Sequence, residues 1–461
     1  MSRSRAQVFI GLSLFLLAFS TASSAVAFGQ PLQYPLLIFA AAILFIIAFI
    51  NTDFALFILL FSMILSPEIR TGVIKGREVM IRADDILIMV VFLGWIAKMG
   101  VNKELGLLKP TPLNAPNLIY IFISVIATLY GSFKGYVRLK DGIFYLIKYF
   151  EYFLLYFMVI NNLKSLRQIK LLVFSMIFIL FVISLYAFNQ HYSGIERASA
   201  PFQEAKGESN TLGGYLVLMI MVVAGLLLNT GSLKVKGVLS AVLFFALPAL
   251  LFTLSRGSWL GFLFAYLALM ALTPKGKLSL FVILLVMVLF SSVLLPDYFH
   301  KRLTSTFEGE GGKEYSLMGR NITLEGSAAA RIITWQTSLR LCKKEPVLGF
   351  GAGSMGPVID NQFARLLLEV GILGLLAFSW IIFAMFRKFL EIRFKLENDE
   401  FSRGLIIGFL AGLAGLLVHG FGAATFIIIR IMEPFWFLAA IIVTLPEFVP
   451  VKEPKPQASI A

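Results

Sequence analysis

The sequence has almost no cysteine: Cys342 is the single one in 461 residues. That excludes an internal disulfide and any thiolate metal cluster. Histidine is nearly as scarce, and His191, His300 and His419 are scattered without ligand spacing, so neither a metal site nor a cofactor is expected. Charge is thin as well, at 14% of residues, and no stretch has the polar composition of a separate globular unit. Acids are the scarcer sign, 26 against 40 Lys and Arg, which leaves a net charge of +14. In a water-soluble chain that excess points to nucleic acid. Here it must first be apportioned between two membrane faces, and no nucleic-acid partner is expected.

What abounds is apolar sequence, 59% of the chain, in runs of Leu, Ile and Phe longer than a soluble core can hide. Fourteen such segments lie between Val8 and Leu445. Several fall short of the roughly 20 residues that cross hydrocarbon, so the reading is an all-α, polytopic membrane helix bundle of about 12–14 transmembrane segments. We read residues 1–461 as a single polytopic membrane domain. The first segment, Val8 to Phe28, follows Arg3 and Arg5 as a signal peptide would, but its length favours retention.

With Arg3 and Arg5 inside and an even number of crossings, the inner loops collect nineteen Lys and Arg and the short outer loops ten. This predicts both termini in the cytoplasm and a long outer loop over 296–361. The kinds of cation differ too. Thirteen of the nineteen inner ones are Lys, whereas ten of the eighteen outer ones, long loop included, are Arg. Arg recognises phosphate and carboxylate through a planar fork, so the outer face is expected to bind an anion.

Within the long loop, Phe307 to Gly326 is rich in Gly, Glu and Lys with little periodicity and reads as mobile. From Ser327 onward a helix is expected, with Ile332, Trp335, Leu339 and Cys342 as its apolar stripe and Pro346 as its stop. Such a helix either lies along the membrane surface or packs down on the bundle as a lid. The glycines of GFGAGSMG, Gly349 to Gly356, lack a preceding strand and a following G-K-[ST], so they read as a tight turn and not as a nucleotide loop.

In LSRGSW, Arg256 sits at a hairpin tip too short to lift it into water, at the depth of lipid phosphates. It serves there as an interfacial anchor or as a phosphate ligand. Arg197 and Asn210 belong to a charged stretch before the Gly213-Gly214 entry to an apolar segment. Asp360-Asn361 precedes another apolar run, and caps it or meets a substrate. Three spacings allow ion pairs along a helix: Lys148 with Glu151, Arg365 with Glu369, and Arg430 with Glu433.

Taken in order, SNTLGGYL, TLSRGSWLG, RIITWQTSLRLCKKEPVLGFGAGSMG, DNQFARLLLEVGILGLLAF and a closing LVHG resemble the O-antigen ligase and polysaccharide polymerase superfamily, over about the C-terminal two thirds of the chain. The resemblance implies a multi-pass protein of the cytoplasmic (inner) membrane. It implies transfer of a glycan from an undecaprenyl-diphosphate carrier to an acceptor hydroxyl at the outer face, without metal. Donor, sugar or lipid acceptor, and membrane lipids are the implied partners. On that reading Arg197, Arg256 and Arg331 hold the diphosphate, Asn210 and Asn361 help bind substrate, and Asp360 receives the acceptor proton. Family ligases usually carry His-Asn where this chain has Asp360-Asn361, which bears on ligase against polymerase. The rival class is a secondary transporter or flippase for a lipid-linked or anionic solute, which would depend on the intramembrane charges.

Overall fold

Runs of apolar residues introduced by Ser, Asn or Asp start helices, because a short side-chain oxygen satisfies amide groups that the first turn leaves open. The computed structural model describes residues 33–66, 68–74, 77–102, 109–201, 208–273, 276–289, 313–317, 320–324, 326–355 and 359–450. The segment Val8 to Phe28 lies outside them. In chain order the helices are α1 (Gln33–Ile50), α2 (Thr52–Leu65), α3 (Ala83–Asn102), α4 (Asn114–Phe133), α5 (Leu139–Asn162), α6 (Leu166–Tyr192), α7 (Ser209–Asn229), α8 (Leu233–Phe252), α9 (Arg256–Leu272) and α10 (Lys277–Leu289). They continue with α11 (Gly326–Cys342), α12 (Gln362–Glu369), α13 (Gly371–Lys395), α14 (Glu400–His419) and α15 (Ile429–Phe448). Asn51, Ser165, Ser255, Asn361 and Asp399 cap α2, α6, α9, α12 and α14 with their own side chains.

Eight of these helices are long and apolar enough to cross a membrane, and four shorter apolar stretches, in α1, α2, α9 and α10, accompany them among the described residues. The architecture is therefore an all-α polytopic membrane bundle. Two antiparallel hairpins interrupt it. β1 (Glu68–Ile74) pairs with β2 (Arg77–Arg82), and β3 (Lys313–Leu317) pairs with β4 (Arg320–Leu324). The second lies within 307–326, where the sequence shows little periodicity: backbone pairing joins Lys313 to Leu324 without needing an apolar period in the sequence.

Small residues fix the centre of the bundle. A Cβ at Gly408 would lie 2.4 Å from the Met221 carbonyl oxygen, and one at Gly225 would lie 2.4 Å from that of Gly404. Gly415 similarly faces Gly261 and Ala265. Between apolar helices in lipid, attraction comes from close van der Waals contact, and this stripe lets α14 lie directly against α7 and α9.

A correction concerns the apolar run after Asp360-Asn361, counted from Gln362 to Phe386 as one of the fourteen segments but broken at Val370–Gly371 into α12 and α13. Gly371 has φ +70°, and a Cβ there would meet the Val347 carbonyl oxygen at 2.2 Å. The amides of Phe350 and Gly351 donate to the Leu368 and Glu369 carbonyls at 2.7 and 2.9 Å, and the Ile372 amide donates to Pro346. The glycine turn thus occupies the carbonyls that a continuous helix would have used itself. It is a tight turn, as its composition predicts, with Gly349, Gly351 and Gly353 all at positive φ.

The buried charges pair differently from their spacing along each helix. Lys148 on α5 pairs with Asp85 on α3, not with Glu151. Arg82 pairs with Asp84 and, at 3.3 Å, with Glu433. Arg430 instead gives its guanidinium to backbone carbonyls, Ile64 at 2.8 Å, Pro201 at 2.6 Å and Ser66 at 3.2 Å. Arg365 and Glu369 do face each other, at 3.9 Å, and Tyr149 donates to Glu369 at 2.8 Å. A buried ion needs whichever partner tertiary packing presents, and helix spacing presents only one candidate.

Candidate active site

The polar residues singled out in the sequence collect at one end of the bundle, around the starts of α7, α9 and α12. The chain leaving α6 crosses the α8–α9 junction, where the Ala198 amide donates to the Phe252 carbonyl at 2.9 Å and Arg197 Nε reaches the Thr253 carbonyl at 3.4 Å. Arg197 is half-buried there. The junction is three residues long and sharply bent: Leu254 has φ +47°, the one positive value outside glycine among the described residues. Its side chain is buried, which holds the bend in place.

Ser255 caps α9, and its hydroxyl donates to Asn210 Oδ1 at 2.7 Å. Ser258 in turn donates to Ser255 at 2.7 Å. Asn210 is the second residue of α7, so this bond ties the N-terminus of one helix to that of another. Close approach follows from Gly213, where a Cβ would lie 2.1 Å from Ser258 Oγ. Arg256, the first residue of α9, is half-buried at the same level. The N-termini of α7 and α9 therefore meet, with Arg197 and Arg256 on the segments beside them, and helix N-termini favour negative charge. Sequence reasoning passed over Ser255 and Ser258, although a Ser-x-x-Ser at the head of an apolar run is a capping signal.

The Asp360-Asn361 turn lies beside the end of α14. Asn361 caps α12, accepting from the Ala364 amide at 2.9 Å, and its Nδ2 donates to the Phe421 carbonyl at 2.7 Å. The Gln362 amide donates to the Gly420 carbonyl, and its side chain accepts from the Phe426 amide, both at 2.9 Å. Capping thus belongs to Asn361, which is buried, while Asp360 is exposed. His419, at the C-terminus of α14, is 1% exposed and shares a 2.7 Å hydrogen bond with Thr425 through Nδ1.

Arg331 falls in α11, and its side chain lies outside the described residues. The inward stripe of α11 is rotated from the expected one: Trp335, Leu341 and Cys342 pack on Phe350, Ile359, Ala364 and Leu368, while Leu339 is exposed. Trp335 stacks on Phe421, ring centroids 6.3 Å apart. The helix packs onto the bundle beside α12. Just beyond it Glu345 accepts hydrogen bonds from Tyr130 at 2.9 Å and Tyr136 at 2.8 Å. Those hydroxyls, with Tyr136 the stronger influence, hold the Glu345 carboxyl below the usual range.

A bundle with eight helices long and apolar enough to cross a membrane defines an integral membrane protein. Residues 241–379, from within α8 into α13, match the family model for O-antigen ligase, and over this segment the chain is O-antigen ligase-like. The match takes in Arg256, Arg331, Asp360 and Asn361; Arg197, Asn210 and His419 lie outside it. Comparison with curated proteins finds no match.

Proposed function

We infer that the chain transfers a glycan from a polyprenyl-diphosphate carrier, of the undecaprenyl type, to an acceptor hydroxyl, and that the site end of the bundle faces outward from the inner membrane. The observation that carries this is the meeting of the α7 and α9 N-termini, through Asn210 and Ser255, between Arg197 and Arg256. Arg256 and Arg197, with Arg331 as a third cation, grip the diphosphate; Asn210 and Asn361 shape the site around it.

In the reaction the acceptor oxygen forms a bond to the anomeric carbon as the bond from that carbon to the phosphate oxygen breaks. The electron pair leaves with the diphosphate, where guanidinium groups and helix amides stabilise it as charge develops. Asp360, exposed beside the capped turn, orients the acceptor hydroxyl and takes its proton. A carboxylate is a weaker base than imidazole, which suffices when the proton departs after the new bond has begun to form. An apolar groove lined by Phe363, Phe378, Ile382, Phe383 and Phe386 offers a lipid chain a path from this end into the bilayer.

The test is transfer from a polyprenyl-diphosphate-linked glycan by purified protein in nanodiscs. Arg256→Ala and Arg197→Ala should each abolish most turnover while the protein stays monodisperse. Full turnover in both would leave the arginines as membrane anchors and overturn the reading. The transporter alternative rests on the buried charges: Asp85→Asn should leave transfer largely intact, whereas a transporter would lose its activity.

A further inference from the structure

Phe421, two residues beyond α14, keeps 53% of its surface exposed at the end of the bundle that carries Asp360. Its backbone is tied to that turn. The Phe421 carbonyl accepts from Asn361 Nδ2 at 2.7 Å, and the Gly420 carbonyl before it accepts from the Gln362 amide at 2.9 Å. Its own amide donates to the Val418 carbonyl at 3.1 Å, and those of Gly422 and Ala423 return to the His419 carbonyl. The ring is braced as well. Trp335 of α11 stacks on it at an interplanar angle of 29°, and Phe363, in the first turn of α12, meets it with centroids 4.6 Å apart. Trp335 is anchored in turn against Phe350, Ile359, Ala364 and Leu368. An exposed ring held by three elements has little rotamer freedom left to lose when something covers it.

Its neighbour limits what that something is. Asp360 is exposed too, and Asn361, the next residue, makes the bond to Phe421, so a ligand on this ring meets a carboxylate beside it. A hydrocarbon tail would suit the ring and desolvate the carboxylate. A phosphate would bring like charge to it. A pyranose suits both, because the C–H bonds of one face lie against the negative face of an aromatic ring while hydroxyls at the rim donate to a carboxylate.

We propose that Phe421, braced by Trp335, is the platform on which a sugar ring of the acceptor stacks, so that its attacking hydroxyl is presented to Asp360. The proposal rests on the transferase reading, and Phe421 lies beyond the matched segment 241–379. It also assigns sides to the two substrates. Gly415 of α14 faces Gly261 and Ala265 of α9, whereas Leu417 faces the groove shared with α13, whose top is the Phe363 that touches Phe421. Donor at α9 and acceptor at Phe421 thus reach the end of α14 from opposite sides, which suits attack opposite the departing diphosphate.

The test is saturation-transfer NMR on the full chain in nanodiscs, against empty nanodiscs, with methyl β-D-glucopyranoside, methyl β-D-galactopyranoside and methyl N-acetyl-β-D-glucosaminide as probes. At least one should receive saturation mainly on the hydrogens of one ring face. Phe421→Tyr keeps the ring and should keep the signal. Phe421→Leu keeps an apolar side chain, enough for a membrane anchor, and should weaken the sugar contact about 2- to 10-fold, the range of an aromatic contact beyond its buried area. Absence of saturation from every probe in the wild type, which needs no folded variant, overturns the proposal, as does equal binding by Phe421→Leu. Turnover keeps the two readings apart. Full transfer in Arg256→Ala and Arg197→Ala sinks the transferase reading whatever the sugars do, whereas arginine-dependent transfer without sugar contact at Phe421 sinks only the platform.

Discussion

Arg256 opens α9 one residue after the Ser255 that donates to Asn210, and on the proposed function its value lies in a planar fork and not in charge alone. Arg256→Lys keeps the charge and loses the planar pair of donors, so glycan transfer should drop about 10- to 100-fold with normal insertion, as read by turnover in nanodiscs. Asp360→Asn asks a different question. Because Asn361 makes the cap, this substitution leaves α12 intact and removes only the proton acceptor, so a stable protein with turnover lowered at least about 100-fold is expected. Near-normal turnover would remove Asp360 from the chemistry. At the neighbouring bend two effects compete: Leu254→Gly relieves about 1–2 kcal/mol of left-handed strain but gives up about 1.5–3 kcal/mol of side-chain burial. Burial wins on these magnitudes, and a lower thermal unfolding midpoint should report it. At this scale the sequence displays which residue types are unusual, such as an arginine at a hairpin tip. It does not display partners. That Arg430 serves carbonyls 364 and 366 residues away, while Glu433 serves Arg82, depends on which helix ends pack together.

Helices and their contacts obey cruder rules, and more of them can be read ahead. The spans, the α11 helix after Ser327 and the tight glycine turn all follow from composition and spacing. The break between α12 and α13 does not, because the carbonyls that end α12 are claimed by amides of a turn some twenty residues earlier. The glycine stripe of α14 gives a direct test: in Gly408→Ala the new Cβ meets backbone on α7, not a side chain that can swing away. Overpacking of this kind costs about 1–3 kcal/mol, so the unfolding midpoint in detergent should fall. The clasp of Glu345 by Tyr130 and Tyr136 carries a pH dependence of definite sign. A carboxyl held below its ordinary value contributes stability above the unfolded value, 4.5, and loses it as pH falls through the lower folded value. The protection of α11 amides, taken relative to the intrinsic exchange rate at each pH, should therefore stay high near neutrality and fall in acid below about pH 4.5, while Glu345→Gln should exchange faster than wild type already at pH 7. Equal exchange in both proteins at pH 7 would deny the clasp any role in holding the loop.

Across the whole molecule, the polar site collects at one end, and the Lys and Arg bias predicts that the opposite end faces the cytoplasm. With Cys342 replaced by Ser, a cysteine at Ser193 should react with an impermeant maleimide in intact cells, and one at Asn398 only after lysis. Both positions are exposed, whereas Ser402, in the first turn of α14, is buried. The reverse pattern would turn the site toward the cytoplasm and exclude transfer at the outer face.

Arg430 also says something about how such a protein is made. Through one guanidinium group α15 holds the end of α2 and the loop carrying Arg197, so these two segments are joined only once α15 has been made. Until α15 enters the membrane, every earlier helix can be inserted and these segments still lack their brace. A chain stopped before Arg430 should be inserted normally yet be recognised by membrane proteases as unfinished. On the proposed function, the cell is thereby spared a half-built transferase.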